Sequence, residues 1–85
     1  MILSEREFRE YLRMREWRKI ESDKRNSAPF TILTNAQLAE VVQQRPKTLA
    51  DLEKVKGIGK KRLEDHGEAI LKVLSLGDEA NGTPD

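Results

Sequence analysis

Apolar positions recur every three or four residues along nearly the whole chain, the spacing of helices that each bury one face. Ser4 followed by Glu7 is a capping-box pair, and Phe8, Leu12 or Tyr11, Met14, Trp17 and Ile20 then form a narrow apolar stripe. They predict a first helix from about Glu5 to Lys24, its other face crowded with Arg and Glu at i,i+3 and i,i+4 spacing, an ion-paired solvent face. Pro29 removes an amide hydrogen and disfavours helix at Ala28, so residues 25–29 read as a loop. Phe30-Thr31-Ile32-Leu33 has no partner strand and is expected as an extended segment or a single 3₁₀ turn that drops apolar side chains into the core.

Thr34 or Asn35 caps a second helix, through Leu38, Val41 and Val42 to about Gln44, which Pro46 closes. Thr48 with Asp51 opens a short third helix with Leu49, Leu52 and Val55 inward. After Gly57-Ile58-Gly59, a fourth helix starts at Lys60 and is interrupted near Gly67, and a fifth runs from Glu68 to Leu76 on Ile70, Leu71 and Leu74. The pattern predicts an all-α fold, a compact bundle of about five short helices over residues 1–76, followed by a flexible acidic tail over 77–85.

A length of 85 residues allows one domain, and Leu, Ile, Val and Phe together make up about a quarter of it, enough for a thin core. Cysteine is absent, which excludes disulfides and a thiol nucleophile. No apolar run approaches the roughly 18 residues of a membrane span, and no signal-peptide pattern opens the chain, so an intracellular location is expected, cytoplasm or nucleoid in a bacterium. A formal net charge of +1 conceals a polarised distribution. Residues 45–62 carry a net +5 and residues 63–85 a net −5, an oriented field that calls for an anionic partner.

The basic segment contains the sharpest candidate for chemistry. In Lys54-Val55-Lys56-Gly57-Ile58-Gly59-Lys60-Lys61-Arg62, Gly57 can take a positive φ, Ile58 can plug the turn into the core, and Gly59 leaves the backbone bare. The amides that follow then point outward at the positive end of a helix dipole, a seat for a phosphate oxygen. Lys56, Lys60, Lys61 and Arg62, with Lys54 at the margin, supply charge that is unfavourable at a helix start without an external anion. Main-chain amides and lysines read phosphate and not base sequence. The competing reading is a plain interhelical turn beside solvated lysines.

This spacing resembles a helix-hairpin-helix. Met14-Arg15-Glu16-Trp17-Arg18, Ala28-Pro29-Phe30-Thr31-Ile32-Leu33, Leu38, Arg45-Pro46-Lys47-Thr48, Leu52, Lys56-Gly57-Ile58-Gly59 and His66-Gly67-Glu68 follow in the order and spacing of the HRDC domain. That family is named for RecQ-type helicases and RNase D, and the resemblance spans about residues 8–76. It implies a five-helix accessory module that binds nucleic acid weakly, DNA more readily than RNA, as part of such a helicase or nuclease or as a stand-alone protein. The alternative it implies is a protein-interaction domain that docks on its own helicase or nuclease core. A monomer with no cofactor, no membrane partner and no catalytic activity is expected. By helix-hairpin-helix analogy the turn at residues 57–59 could hold a monovalent cation.

Among the remaining candidates, Trp17 on the apolar stripe reads as core. Phe30, a lone aromatic after a proline, either stacks on an unpaired base or lies buried under the second helix. His66 has no second histidine or cysteine to share a metal and reads as structural. No carboxylate pair or activated serine suggests acid–base or nucleophilic catalysis.

Overall fold

A computed structural model describes residues 2–81, with side chains through residue 76. Five helices form among the described residues: α1 (Glu5–Arg25), α2 (Pro29–Ile32), α3 (Asn35–Gln44), α4 (Leu49–Glu53) and α5 (Lys60–Asn81). The fold is all-α, as the periodicity predicts, but the five helices are divided differently. Pro29 occupies the first turn of α2, where a missing amide hydrogen costs nothing, so Phe30–Ile32 closes as one α-helical turn. The expected fourth and fifth helices are one. Gly67 does not break α5; a Cβ there would lie 2.8 Å from Leu49 Cδ2, so the glycine serves the close approach of α4 to α5. The helix also continues past Leu76 to Asn81, into the span expected as an acidic tail, of which residues 82–85 lie outside the described residues.

Side-chain caps set three of the helix starts. Ser4 accepts from the Glu7 amide while Glu7 accepts from the Ser4 amide, and Thr34 and Gln37 form the same reciprocal box for α3. Thr48 accepts from the Asp51 amide at the start of α4. The ends follow equally local rules, with Asn26 and Arg45 in the left-handed conformation after α1 and α3.

These elements enclose one core of Met14, Leu33, Leu38, Val41, Val42, Leu52, Val55, Ile58, Ile70 and Leu74. Each such side chain contributes about 1.5–3 kcal/mol of burial. The face that α1 turns toward this core departs from the expected stripe. It consists of Glu10, Met14, Arg18 and Ser22, four residues at i,i+4 spacing, whereas Phe8, Leu12 and Ile20 are exposed and Tyr11 and Trp17 pack at the margin. The reason is a polar seam. Glu10, only 3% exposed, accepts from Arg45 at 2.6 Å with Arg6 3.6 Å away, which ties α1 to the end of α3. Arg18 donates to the Leu33 carbonyl at 2.9 Å, which ties α1 to the segment after α2.

His66 lies buried with its ring edge-on to Trp17, centroids 5.8 Å apart. Burial lowers its pKa, with Arg25 and Arg62 acting in the same direction and Glu21 and Asp65 opposing.

Two outcomes follow from these buried polar groups. Glu10→Ala removes the buried carboxylate to which Arg45 donates and should lower stability by about 3 kcal/mol in urea denaturation, the lower end of the range for broken buried pairs because Arg45 is partly solvated. For His66, the unfolded chain binds the proton more readily than the folded one. The stability it contributes is therefore complete above the unfolded value of about 6.5 and is lost as pH falls through the lower folded value. Denaturation midpoints measured at about pH 8 and about pH 5 should fall further apart for the parent chain than for His66→Phe.

Candidate nucleic-acid interface

The turn between α4 and α5 is shaped by the two glycines and held from inside. Gly57 has φ +91°, a conformation that L side chains rarely adopt, and Ile58 is buried in the core with its amide on the Val55 carbonyl. With Ile58 anchored, the Gly57 carbonyl turns toward the body of the protein, where Gln37 Nε2 donates to it at 3.2 Å and Arg62 at 3.4 Å. Arg62 Nε also donates to the Ile32 carbonyl at 2.9 Å. A carbonyl that could have faced a cation at this turn thus faces the Arg62 guanidinium.

The start of α5, like that of α2, carries no side-chain cap. Its preceding residue, Gly59, has no side chain, and a Cβ placed there would meet nothing within 4 Å. The Gly59 carbonyl accepts from the Leu63 amide at 3.0 Å, which begins the helical ladder. Among the described residues, no group accepts a hydrogen bond from the amides of Gly59, Lys60, Lys61 or Arg62. Three basic residues occupy the first turn and no acid. Amides of this kind, at the positive end of a helix of 22 residues, attract an anion.

The structure sorts the sequence candidates. Lys54, Lys56 and Lys60 are exposed, with no ion-pair partner among the described residues. Lys61 is also exposed, with Asp65 3.5 Å from its ammonium. Arg62 differs from the lysines: its guanidinium is taken up by two carbonyls, so it braces the turn and its charge lies at the wall of the site. Phe30 is 65% exposed on α2, not buried under the next helix. Beside the turn, Arg25, Ser27, Thr31, Gly59, Lys61 and Arg62 help to line an open groove of about 460 Å³, together with Asp65 and His66. Arg25 there is held by Glu21 at 2.8 Å. Gln37, which sequence reasoning passed over, is the second brace. Its place three residues after Thr34 carries the capping-box pattern, but nothing local signals its bond to Gly57, twenty residues on.

On α1 the expected ion pairing is sparse. Arg6 pairs with Glu10 and Arg25 with Glu21, while Arg9, Arg13 and Arg15 have no carboxylate partner among the described residues. No helix of the described residues is long and apolar enough to cross a membrane.

The two glycines should respond oppositely to substitution. Gly57→Ala forces a Cβ to 2.5 Å from Gln37 Nε2 and into a left-handed backbone, and should cost about 2 kcal/mol of stability. Gly59→Ser meets open space and supplies a cap, so its thermal midpoint should equal or slightly exceed that of the parent.

A model of the HRDC domain family matches residues 7–74. The ATP-dependent DNA helicase RecQ of Haemophilus influenzae is 28% identical over 64 residues, 75% of this chain and 10% of that protein. The chain therefore spans about a tenth of the length of this curated relative. The solved D. radiodurans RecQ HRDC domain 3 aligns with a TM-score of 0.77 and 34% identity, covering 79% of this chain and 88% of that one.

Proposed function

The chain belongs to the HRDC domain family, and from that membership together with the turn at residues 57–59 we propose that it is an accessory module that binds the sugar-phosphate backbone of single-stranded or partly duplex DNA. The observation that carries this reading is the uncapped start of α5, where the amides of Gly59, Lys60 and Lys61 have no acceptor among the described residues and Lys56, Lys60 and Lys61 are exposed. A phosphate oxygen there accepts from the amides while the ammonium groups neutralise its charge, and no base is read. Lys54 extends the charge at the margin. Arg62 acts by holding the turn in shape. Phe30, exposed on the neighbouring helix, offers a face for an unpaired base, worth about 1–3 kcal/mol when stacked.

A site of few phosphate contacts gives weak and strongly salt-dependent binding. It supplies placement and not chemistry, so the module serves a catalytic partner, a RecQ-type helicase or an RNase D-like nuclease in the same chain or another, by helping it select its substrate. The Haemophilus relative, a DNA helicase, supports the first of these.

Lys60→Ala combined with Lys61→Ala should leave the helical circular dichroism unchanged and reduce the slope of log K against log salt by about 1.4 for a single-stranded oligonucleotide, the loss of two phosphate contacts. An unchanged slope removes the assignment. Gly59→Ser, which carries the same charge as the parent, should weaken the same oligonucleotide because its hydroxyl accepts from the Lys61 or Arg62 amide in place of a phosphate oxygen.

A further inference from the structure

We propose that the groove between α1 and the start of α2 is a docking site for a short acidic and aliphatic segment of a partner protein. In it a carboxylate faces Arg15, Arg18 and Lys19, and an aliphatic side chain packs on Leu12 and Pro29. The groove, about 460 Å³, is lined by these five residues and Glu16. It lies where the core-facing side of α1, through Arg18, meets the exposed side that carries Leu12, Arg15 and Lys19, and it is separate from the glycine turn in its lining residues.

Arg18 is the residue that calls for an anion here. Its side chain is 8% exposed, and its hydrogen bond goes to a neutral acceptor, the Leu33 carbonyl. Its Nε has no partner, and among the described residues no carboxylate lies within ion-pair distance. A buried cation without a counter-ion is costly, and this one has the like charge of Arg15 beside it. Both burial and Arg15 lower the Arg18 pKa, with Tyr11 partly opposing. An anion brought into the groove relieves this arrangement, and Arg15 and Lys19, both exposed, are placed to receive it.

The walls decide which anion. Leu12 and Pro29 give the groove an apolar wall, and Phe8, one turn before Leu12, extends the exposed apolar strip. Glu16 stands in the lining, a local repulsion that a continuous polyphosphate would meet and a single carboxylate can avoid. A segment that alternates acidic and aliphatic residues matches both charge and apolar surface. The chain's own Gly82-Thr83-Pro84-Asp85 offers a carboxylate but no large aliphatic side chain.

The test uses the full chain and a fluorescein-labelled peptide of alternating Asp and Leu, followed by fluorescence anisotropy. Replacing Asp by Asn in the peptide should weaken binding about tenfold or more, as should Arg15→Glu with Lys19→Glu, two exposed positions at which the fold should be unaffected. Leu12→Ser should weaken it as well. The same charge-reversed variant should change single-stranded DNA affinity by less than about threefold, while Lys60→Ala with Lys61→Ala should change DNA binding and spare the peptide. Failure of the peptide to bind, or equal binding to parent and charge-reversed chains, overturns the proposal. So does a loss of DNA binding in the charge-reversed variant that matches its loss of peptide. None of these outcomes touches the glycine turn, which the Lys60 and Lys61 variants test separately.

Discussion

The capture of one carbonyl organises the turn between α4 and α5, on which the proposed site depends. Gly57 can turn its carbonyl inward because its φ is +91°, and Gln37 and Arg62 keep it there. The amide of the same peptide, that of Ile58, is held by the Val55 carbonyl, and the absence of a side chain at Gly59 leaves the amides that follow without a cap. Ser4, Thr34 and Thr48 cap α1, α3 and α4, whereas α2 and α5 start without a side-chain cap, and of those two only α5 opens a long helix. Exposed helix-start amides beside lysines are an arrangement whose unfavourable charge an outside anion removes.

The second organising feature is the polar seam under α1. A long helix that buries Glu10, Arg18 and Ser22 with Met14 is held by directional bonds to Arg45 and Leu33 as much as by apolar contact. Such bonds fix the rotation of the helix about its axis. That rotation exposes Phe8, Leu12 and Ile20, and it places Arg15 and Lys19 together over a buried guanidinium. The two candidate surfaces of the protein, the glycine turn and the α1 groove, thus arise from polar braces and not from the core itself.

What the sequence disclosed follows the range of the interactions. Caps, the turn at residues 57–59 and the inward set Leu38, Val41, Val42, Leu52, Val55, Ile58 and Ile70 depend on neighbours within a few positions, and they were legible, whereas Leu49, expected inward with Leu52 and Val55, is exposed. The core face of α1 was misread because Glu10 and Arg18 find partners 35 and 15 positions away, which no periodicity encodes. Gly67 signalled a break but serves helix packing, since its effect depends on where Leu49 arrives. Arg62 looked like one more cation beside Lys60 and Lys61, and its two carbonyl acceptors are visible only in three dimensions. Family resemblance compensated for these gaps in the fold, but it could not sort bracing residues from exposed ones.

The central claim is that the amides at the start of α5 await an external phosphate. Amide chemical shifts of the ¹⁵N-labelled chain, followed while single-stranded DNA and then salt are added, test it most directly. The account predicts shifts concentrated on Gly59, Lys60 and Lys61 that salt reverses, with the Leu38 to Val42 amides of α3 unmoved. Shifts that leave those three amides in place and fall on α1 instead would contradict it.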